Sequence, residues 1–216
     1  RRQRQMCIRD RIYHIFSVNE NAEITMEMNP GTVDIEKLCA MKAAGVNRLS
    51  IGLQSAQNEE LKMLGRIHTY EEFLETWRLT EQAGFKNRNI DLMSALPGQT
   101  MESYEDTLSK VLALEPEHIS AYSLILEEGT VFYDWYEKVK LDRGAWKLAS
   151  EEEEYAMGEL TIQRLAEAGM HRYEISNYAK SGKECRHNLG YWDRVEYLGI
   201  GAGSSSLIKG ERFDHI

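Results

Sequence analysis

The sequence predicts an α/β fold organised around parallel strands. Three observations carry that expectation. Short apolar runs alternate four times with stretches of helical periodicity, and only a crossover segment lets successive strands run the same way. Glycine or proline stands where each helical stretch should stop. Of the 216 residues, 42% are hydrophobic and 28% charged, the balance of a chain that buries a core rather than staying disordered.

The first run is ITMEM, residues 24–28. The turn NPGT follows, then a helix expected over 34–44, with Ile35, Leu38 and Cys39 sharing a face at i, i+3, i+4 and Gly45 as the stop. The second run, RLSIGL at 48–53, leads to a short helix near 58–64. Thr69 opens a stronger helix, with Glu72 completing a capping box, Phe73 and Trp77 on one face and Gly84 at the end. The third run, NIDLMSAL at 89–96, passes through PGQT into a helix that aligns Tyr104, Leu108, Val111 and Leu112 and ends before Pro116. The fourth run is HISAYSLIL, 118–126. Such units fit an open doubly wound sheet or part of a (β/α) barrel, and four are too few to close one.

Beyond residue 127 the rhythm breaks. GTVFYDWYEKVKLDRGAW is poorly periodic. Ser150 with Glu153 should cap a long helix reaching about residue 168, and the acid run Glu151–Glu154 reads as its solvated first turn. A short strand is expected at 172–176, followed by irregular chain through GIGAGSSS. GIGAG lacks the G-x-G-x-x-G spacing and position of a dinucleotide loop, so close backbone packing is the better reading. NPGT and LPGQT read as structural turns. The opening RRQRQMCIRDR holds five arginines against Asp10, a basic arm for an anionic partner or simply a disordered start. The closing ERFDHI reads as a cut end.

Charge and cysteines narrow the function classes. A net charge of −9 argues against a general nucleic-acid binder. There is no run of about 18 apolar residues to span a membrane, and no secretory signal. The three cysteines, Cys7, Cys39 and Cys185, are odd in number and without CxxC or CxxxCxxC spacing. They suggest neither a disulfide framework nor a local zinc or iron–sulfur site, and a cytoplasmic setting follows as the default.

Ligands of parallel α/β folds bind at the carboxyl ends of the strands. Glu27, Gln54, Asp91, Tyr122 and Ser123 stand there. On successive strand ends they would either converge on one small polar molecule or each face solvent. Arg66 and His68 lie in the following loop, LGRIHT. An arginine there could clamp a carboxylate or be a plain surface residue. The stretch CRHNLGYW, 185–192, gathers Cys185, His187, Asn188, Tyr191 and Trp192. Imidazole can ligate iron and the aromatic rings can flank a planar ligand. A buried aromatic cluster with one satisfied histidine would account for the same residues.

EITMEMNPGT, GVNRLSIGLQS, LGRIHT, NIDLMSALPGQT and HISAYSLILEEGT, in this order and spacing, resemble the oxygen-independent coproporphyrinogen III oxidase-like branch of the radical S-adenosylmethionine (SAM) superfamily. HNLGYW resembles the HNxxYW motif of its haem chaperones. The resemblance covers residues 12–208, leaving 1–11 as an unmatched arm. It implies a partial (β/α)6 barrel, with the third to sixth strands in residues 12–130. An α+β extension at 131–216 would carry HNxxYW and stop short of its C-terminal end. It implies that Glu27, Gln54, Arg66, Asp91 and, more loosely, Ile125 contact SAM. It likewise implies that His187, Tyr191 and Trp192 belong to a haem site, His187 being the candidate iron ligand. A 4Fe–4S cluster would be held by a CxxxCxxC loop upstream of this chain.

Three functions follow from the resemblance. One is a haem chaperone that passes haem to recipient haem proteins, without nucleic acid or a membrane span, peripheral membrane association being left open. Another is a coproporphyrinogen III oxidase acting by radical decarboxylation. The last is a barrel portion that, lacking the cluster cysteines, performs no radical chemistry by itself.

Overall fold

Period-two alternation along the strands gives the sheet two unlike faces. In this computed structural model, which describes residues 2–140 and 147–215, the four foreseen strands all form. They are β1 (Thr25–Met28), β2 (Arg48–Gln54), β3 (Arg88–Ser94) and β4 (His118–Ser123), paired in parallel in that order. Leu49, Ile51 and Leu53 of β2, Ile90 and Leu92 of β3 and Ile119 of β4 are completely buried on one face. There they pack with Leu38, Phe73, Trp77, Tyr104 and Leu108 from the helices. Burying each such side chain contributes roughly 1.5–3 kcal/mol. The residues between them, Ser50, Asn89, Asp91, His118 and Ser120, form the opposite, polar face. A one-residue slip would exchange the faces, so the core enforces the register.

The crossover helices are α2 (Ile35–Ala43), α3 (Asn58–Met63), α4 (Tyr70–Gln82) and α5 (Met101–Leu112). The expected capping box of α4 is present, with Thr69 accepting from the Glu72 amide and Glu72 from the Thr69 amide. Thr100 and Ser103 make a second, at the start of α5. Ser150 and Glu153 cap α7 (Glu151–Glu167), whose four leading glutamates are exposed.

Several elements differ from the expectations. The basic opening segment is helical, α1 (Arg2–Ile15). It has neither glycine nor proline to interrupt it, and the Arg9 guanidinium lies over the Tyr13 ring one turn on, 4.9 Å from its centroid. Strand β4 stops at Ser123, although the Leu124 amide still bonds to Ser94 O at 3.0 Å. A helix, α6 (Val131–Lys140), occupies part of the aperiodic stretch, of which 141–146 lie outside the described residues.

The single strand foreseen at 172–176 is instead two, β5 (His171–Arg172) and β6 (Asn177–Ala179). They are separated by a turn in which Glu174 Oε1 accepts from the Ser176 amide and the Asn177 side chain. Strand β6 runs antiparallel to β4, so the sheet order is β1-β2-β3-β4-β6-β5. Met157 and Leu165 of α7 and Tyr178 of β6 join the main core. The chain divides into compact units at 1–183 and 184–216.

The second unit holds α8 (Arg186–Trp192) and a hairpin of β7 (Ser205–Ile208) and β8 (Glu211–Asp214), where irregular chain was foreseen. Within GIGAG, Gly199 serves close packing, whereas a Cβ at Gly201 or Gly203 would meet nothing within 4 Å. A Cβ at Gly199 would stand 2.2 Å from Ser205 O, and the Gly199 amide bonds to Ser206 Oγ at 2.9 Å.

Candidate functional site

Register gathers the predicted strand-end residues on the polar face. Glu27 lies opposite Ser50, Ser50 opposite Asn89, and Asn89 opposite His118. One step on, Gly52 lies opposite Asp91, Asp91 opposite Ser120, and Ser120 opposite Asn177. Gln54 closes β2 at an irregularity in the register, with φ +75°. A Cβ on Gly52 would sit 3.0 Å from Gln54 Nε2 and 3.5 Å from Asn29 Oδ1. Glycine at 52 thus gives the Gln54 amide room.

Asp91 accepts from Asn89 Nδ2 at 2.6 Å and from Ser50 Oγ at 3.3 Å. Burial pushes its pKa above the usual carboxylate value, the Asn89 and Ser50 bonds oppose that rise, and the charge of Glu27 reinforces it. Glu27 itself is exposed. Among the described residues, no ion pair involves Glu27 or Asp91.

Arg66 is exposed on the loop between α3 and α4. That loop is tied down from two sides. His68, buried, has Nε2 3.3 Å from Leu53 O at the end of β2. Burial lowers its pKa, the Leu53 bond opposes that, and the Arg66 charge lowers it further. Glu60 of α3, also buried, accepts from Ser55 Oγ (2.6 Å), Gln99 Nε2 (2.9 Å) and Ser103 Oγ (2.7 Å), joining the helix that leads into this loop to the PGQT turn and the start of α5. Ile125 is 79% exposed beyond β4. Tyr122 lies on the polar face and is exposed, while Ser123 falls on the other parity.

The sequence reading passed over the layer beneath Asp91. Asn89, His118, Ser120 and Asn177 are all buried and bonded to one another or to their neighbours. Their signal was polar residues at alternate positions of runs taken as apolar.

SAM carries an ammonium, a sulfonium, a carboxylate and ribose hydroxyls. Two carboxylates that are in no ion pair among the described residues, the Gln54 amide at the end of β2 and an exposed arginine on the loop between α3 and α4 match those groups. An iron–sulfur cluster finds no such match here. Among the described residues, no three His, Cys, Asp or Glu side chains are grouped to hold a metal.

In the second unit, His187, Tyr191 and Trp192 all lie on α8 and all are exposed. The cluster is therefore not the buried one that residue chemistry alone would accommodate. His187 and Tyr191, one turn apart, meet edge to face with centroids 4.5 Å apart, and Tyr191 meets Tyr197 at 4.9 Å. Trp192 is 56% exposed, and Val195, Leu198, Ile200 and Phe213 of the same unit are also exposed. Cys185, not assigned as a ligand, is buried.

A largely parallel sheet with acidic and amide groups at its strand ends suits the radical SAM superfamily, whose model matches residues 3–111, and the chain belongs to that superfamily. The match begins inside the basic segment that the motif resemblance left out. More particularly, the chain is 41% identical over 191 residues to the heme chaperone HemW of Bacillus subtilis, covering 88% of this chain and 49% of that protein. It is 40% identical over 188 residues to the heme chaperone HemW of Escherichia coli, covering 87% of this chain and 47% of that protein. The chain thus spans about half the length of the curated relatives it matches. The crystal structure of coproporphyrinogen III oxidase (HemN) from Escherichia coli shares the fold, with TM-score 0.78 and 23% identity, over 97% of this chain and 50% of that one.

Proposed function

We propose that this chain acts within a haem chaperone, which binds haem and hands it to recipient haem proteins. The observation that carries this reading is the HNLGYW segment. It presents His187, Tyr191 and Trp192 on one exposed helix, beside exposed aliphatic side chains of the same unit. An imidazole for the iron and flat apolar surface for the macrocycle are what a transferable haem requires. In the full-length protein, Glu27, Gln54, Arg66, Asp91 and Ile125 would hold SAM beside a 4Fe–4S cluster. SAM there supplies a sulfonium open to reductive cleavage. The residues of this chain bind and orient it: Arg66 for the carboxylate, Asp91 and Glu27 for the ammonium and hydroxyls. The setting is cytoplasmic. No helix among the described residues is long and apolar enough to cross a membrane, and peripheral association with a membrane is compatible with that.

Haem titration of the full-length protein, freed of its cluster, tests the reading. His187→Ala should weaken haem binding by about tenfold, the loss of an axial ligand to the iron. Equal affinity in both proteins would refute the haem site. Likeness of fold to HemN supports a second reading, oxidative decarboxylation of coproporphyrinogen III. Substantial product from the reconstituted full-length protein with SAM and reductant would favour that reading over the first.

A further inference from the structure

We propose that Asn89 and His118 are positioning residues, which hold the Asp91 carboxylate in the orientation that meets a bound SAM. The inference rests on Asp91 being a SAM contact, as in the function proposed above.

The hydrogen bonds beneath Asp91 allow one direction only. An ionised carboxylate cannot donate, so the Asn89 amide nitrogen must face it, 2.6 Å from Oδ1. The same nitrogen reaches Ser50 Oγ at 2.6 Å. The Asn89 carbonyl therefore faces His118, 2.6 Å from Nδ1, and Nδ1 must carry the proton. His118 Nε2 is then an acceptor, and the Tyr173 hydroxyl donates to it at 2.7 Å. Ser120 Oγ donates to Asn177 Oδ1 at 2.6 Å, and Asn177 Nδ2 to Glu174 Oε1 at 2.5 Å. Asn89 is 1% exposed and His118 fully buried, so neither can exchange its partners for water.

The chain of bonds ends on one oxygen of Asp91. Oδ1 takes the strong donor. Among the described residues Oδ2 has the 3.3 Å approach of Ser50 Oγ, whose single proton is shared with Oδ1 at the same distance, and the Ser120 hydroxyl on the facing strand adds a weaker influence on the carboxylate. Asp91 is thus held by one oxygen and offers the other to a ligand donor. The charged and titratable groups around Asp91 and the residues beneath it are Glu27 on β1, Arg48 on β2, His118 on β4, and Tyr173 and Glu174 between β5 and β6. Burial keeps His118 neutral down to a pKa of about 3, with the Arg48 charge acting in the same sense, so the donor direction does not change across the physiological range.

The test is SAM affinity, by equilibrium dialysis, of the full-length cluster-loaded protein across roughly pH 5.5–8.5. Asp91→Asn provides the reference and should weaken SAM by about tenfold or more. Asn89→Leu should weaken it by about tenfold, and should move the pH at which affinity falls upward, because the bond that favours ionised Asp91 is gone. His118→Leu should act in the same direction, and His118→Asn, whose amide N–H replaces Nδ1–H, should restore affinity. Should Asn89→Leu fail to fold, Asn89→Ser removes the same reach to Asp91. Loss in Asp91→Asn with unchanged affinity and pH profile in the Asn89 and His118 variants would overturn the positioning role. Unchanged affinity in Asp91→Asn would instead overturn the SAM contact on which it depends.

Discussion

His118 couples the stability of the sheet to pH. Burial, and next the charge of Arg48, draw its pKa from 6.5 down to about 3. Unfolded chain takes up a proton near pH 6.5 that the folded sheet refuses until near pH 3. Stability is therefore fully present above the unfolded pKa and is lost as pH falls through this window. At about pH 5 the loss is about 2 kcal/mol, a sizeable share of a typical domain stability of roughly 5–15 kcal/mol. The side chain is 0% exposed, so solvent screening leaves the figure in place. Asp91, with its pKa raised, contributes in the opposite sense, and His68, with its pKa lowered, in the same sense. Comparison with His118→Asn isolates the histidine. Hydrogen exchange of the β3 and β4 amides in the full-length protein gives the opening free energy at about pH 7.5 and about pH 5. The fall between them should be about 2 kcal/mol larger in the wild type than in His118→Asn. Equal falls would mean that His118 is not held neutral by its surroundings.

Other outcomes follow from single contacts. Thr69→Ala removes the side chain that accepts from the Glu72 amide and should lower the opening free energy of the α4 amides by about 1 kcal/mol. Gly199→Ala forces a Cβ toward Ser205 O. Exchange in β7 and β8 should quicken by an amount equivalent to about 2 kcal/mol, and unchanged protection would deny the close approach. Arg66→Ala should weaken SAM binding to the cluster-loaded full-length protein by about tenfold, through loss of a charge-assisted bond. Unchanged binding would leave Arg66 an ordinary loop residue.

The strands and crossover helices were legible because their signals are local. Thr69 with Glu72, and Gly45 and Gly84 at helix ends, announce their elements within a few residues. The β5–β6 turn was not legible as such, because Glu174 makes it by reaching the Ser176 amide and the Asn177 side chain. The hairpin of β7 and β8 depends on pairing across the Lys209–Gly210 turn, both residues having positive φ. The strand-end residues Glu27, Gln54 and Asp91 were legible by position. Their common face was not, since it is set by register between strands some twenty to forty residues apart. Asn89 and His118 escaped notice because each reads as a strand-edge polar residue until its partners are known.

The two faces of the sheet divide the work differently than a uniform run of apolar strands would. The helix-covered face supplies burial. The polar residues below Asp91 are bonded through: Ser50, Asn89, His118, Ser120 and Asn177 carry no charge among them when His118 is neutral, while the buried Arg48 starts β2 and Glu174 accepts from Asn177. At the carboxyl ends of the strands Glu27 and Asp91 repel one another, and among the described residues neither is in an ion pair. Such a site favours a ligand that brings positive charge. With Arg66 exposed on the adjacent loop, the ligand that answers all three is a zwitterion with an excess cation. SAM, with its ammonium, sulfonium and carboxylate, has that charge pattern, whereas a free carboxylic acid would meet repulsion from both Glu27 and Asp91.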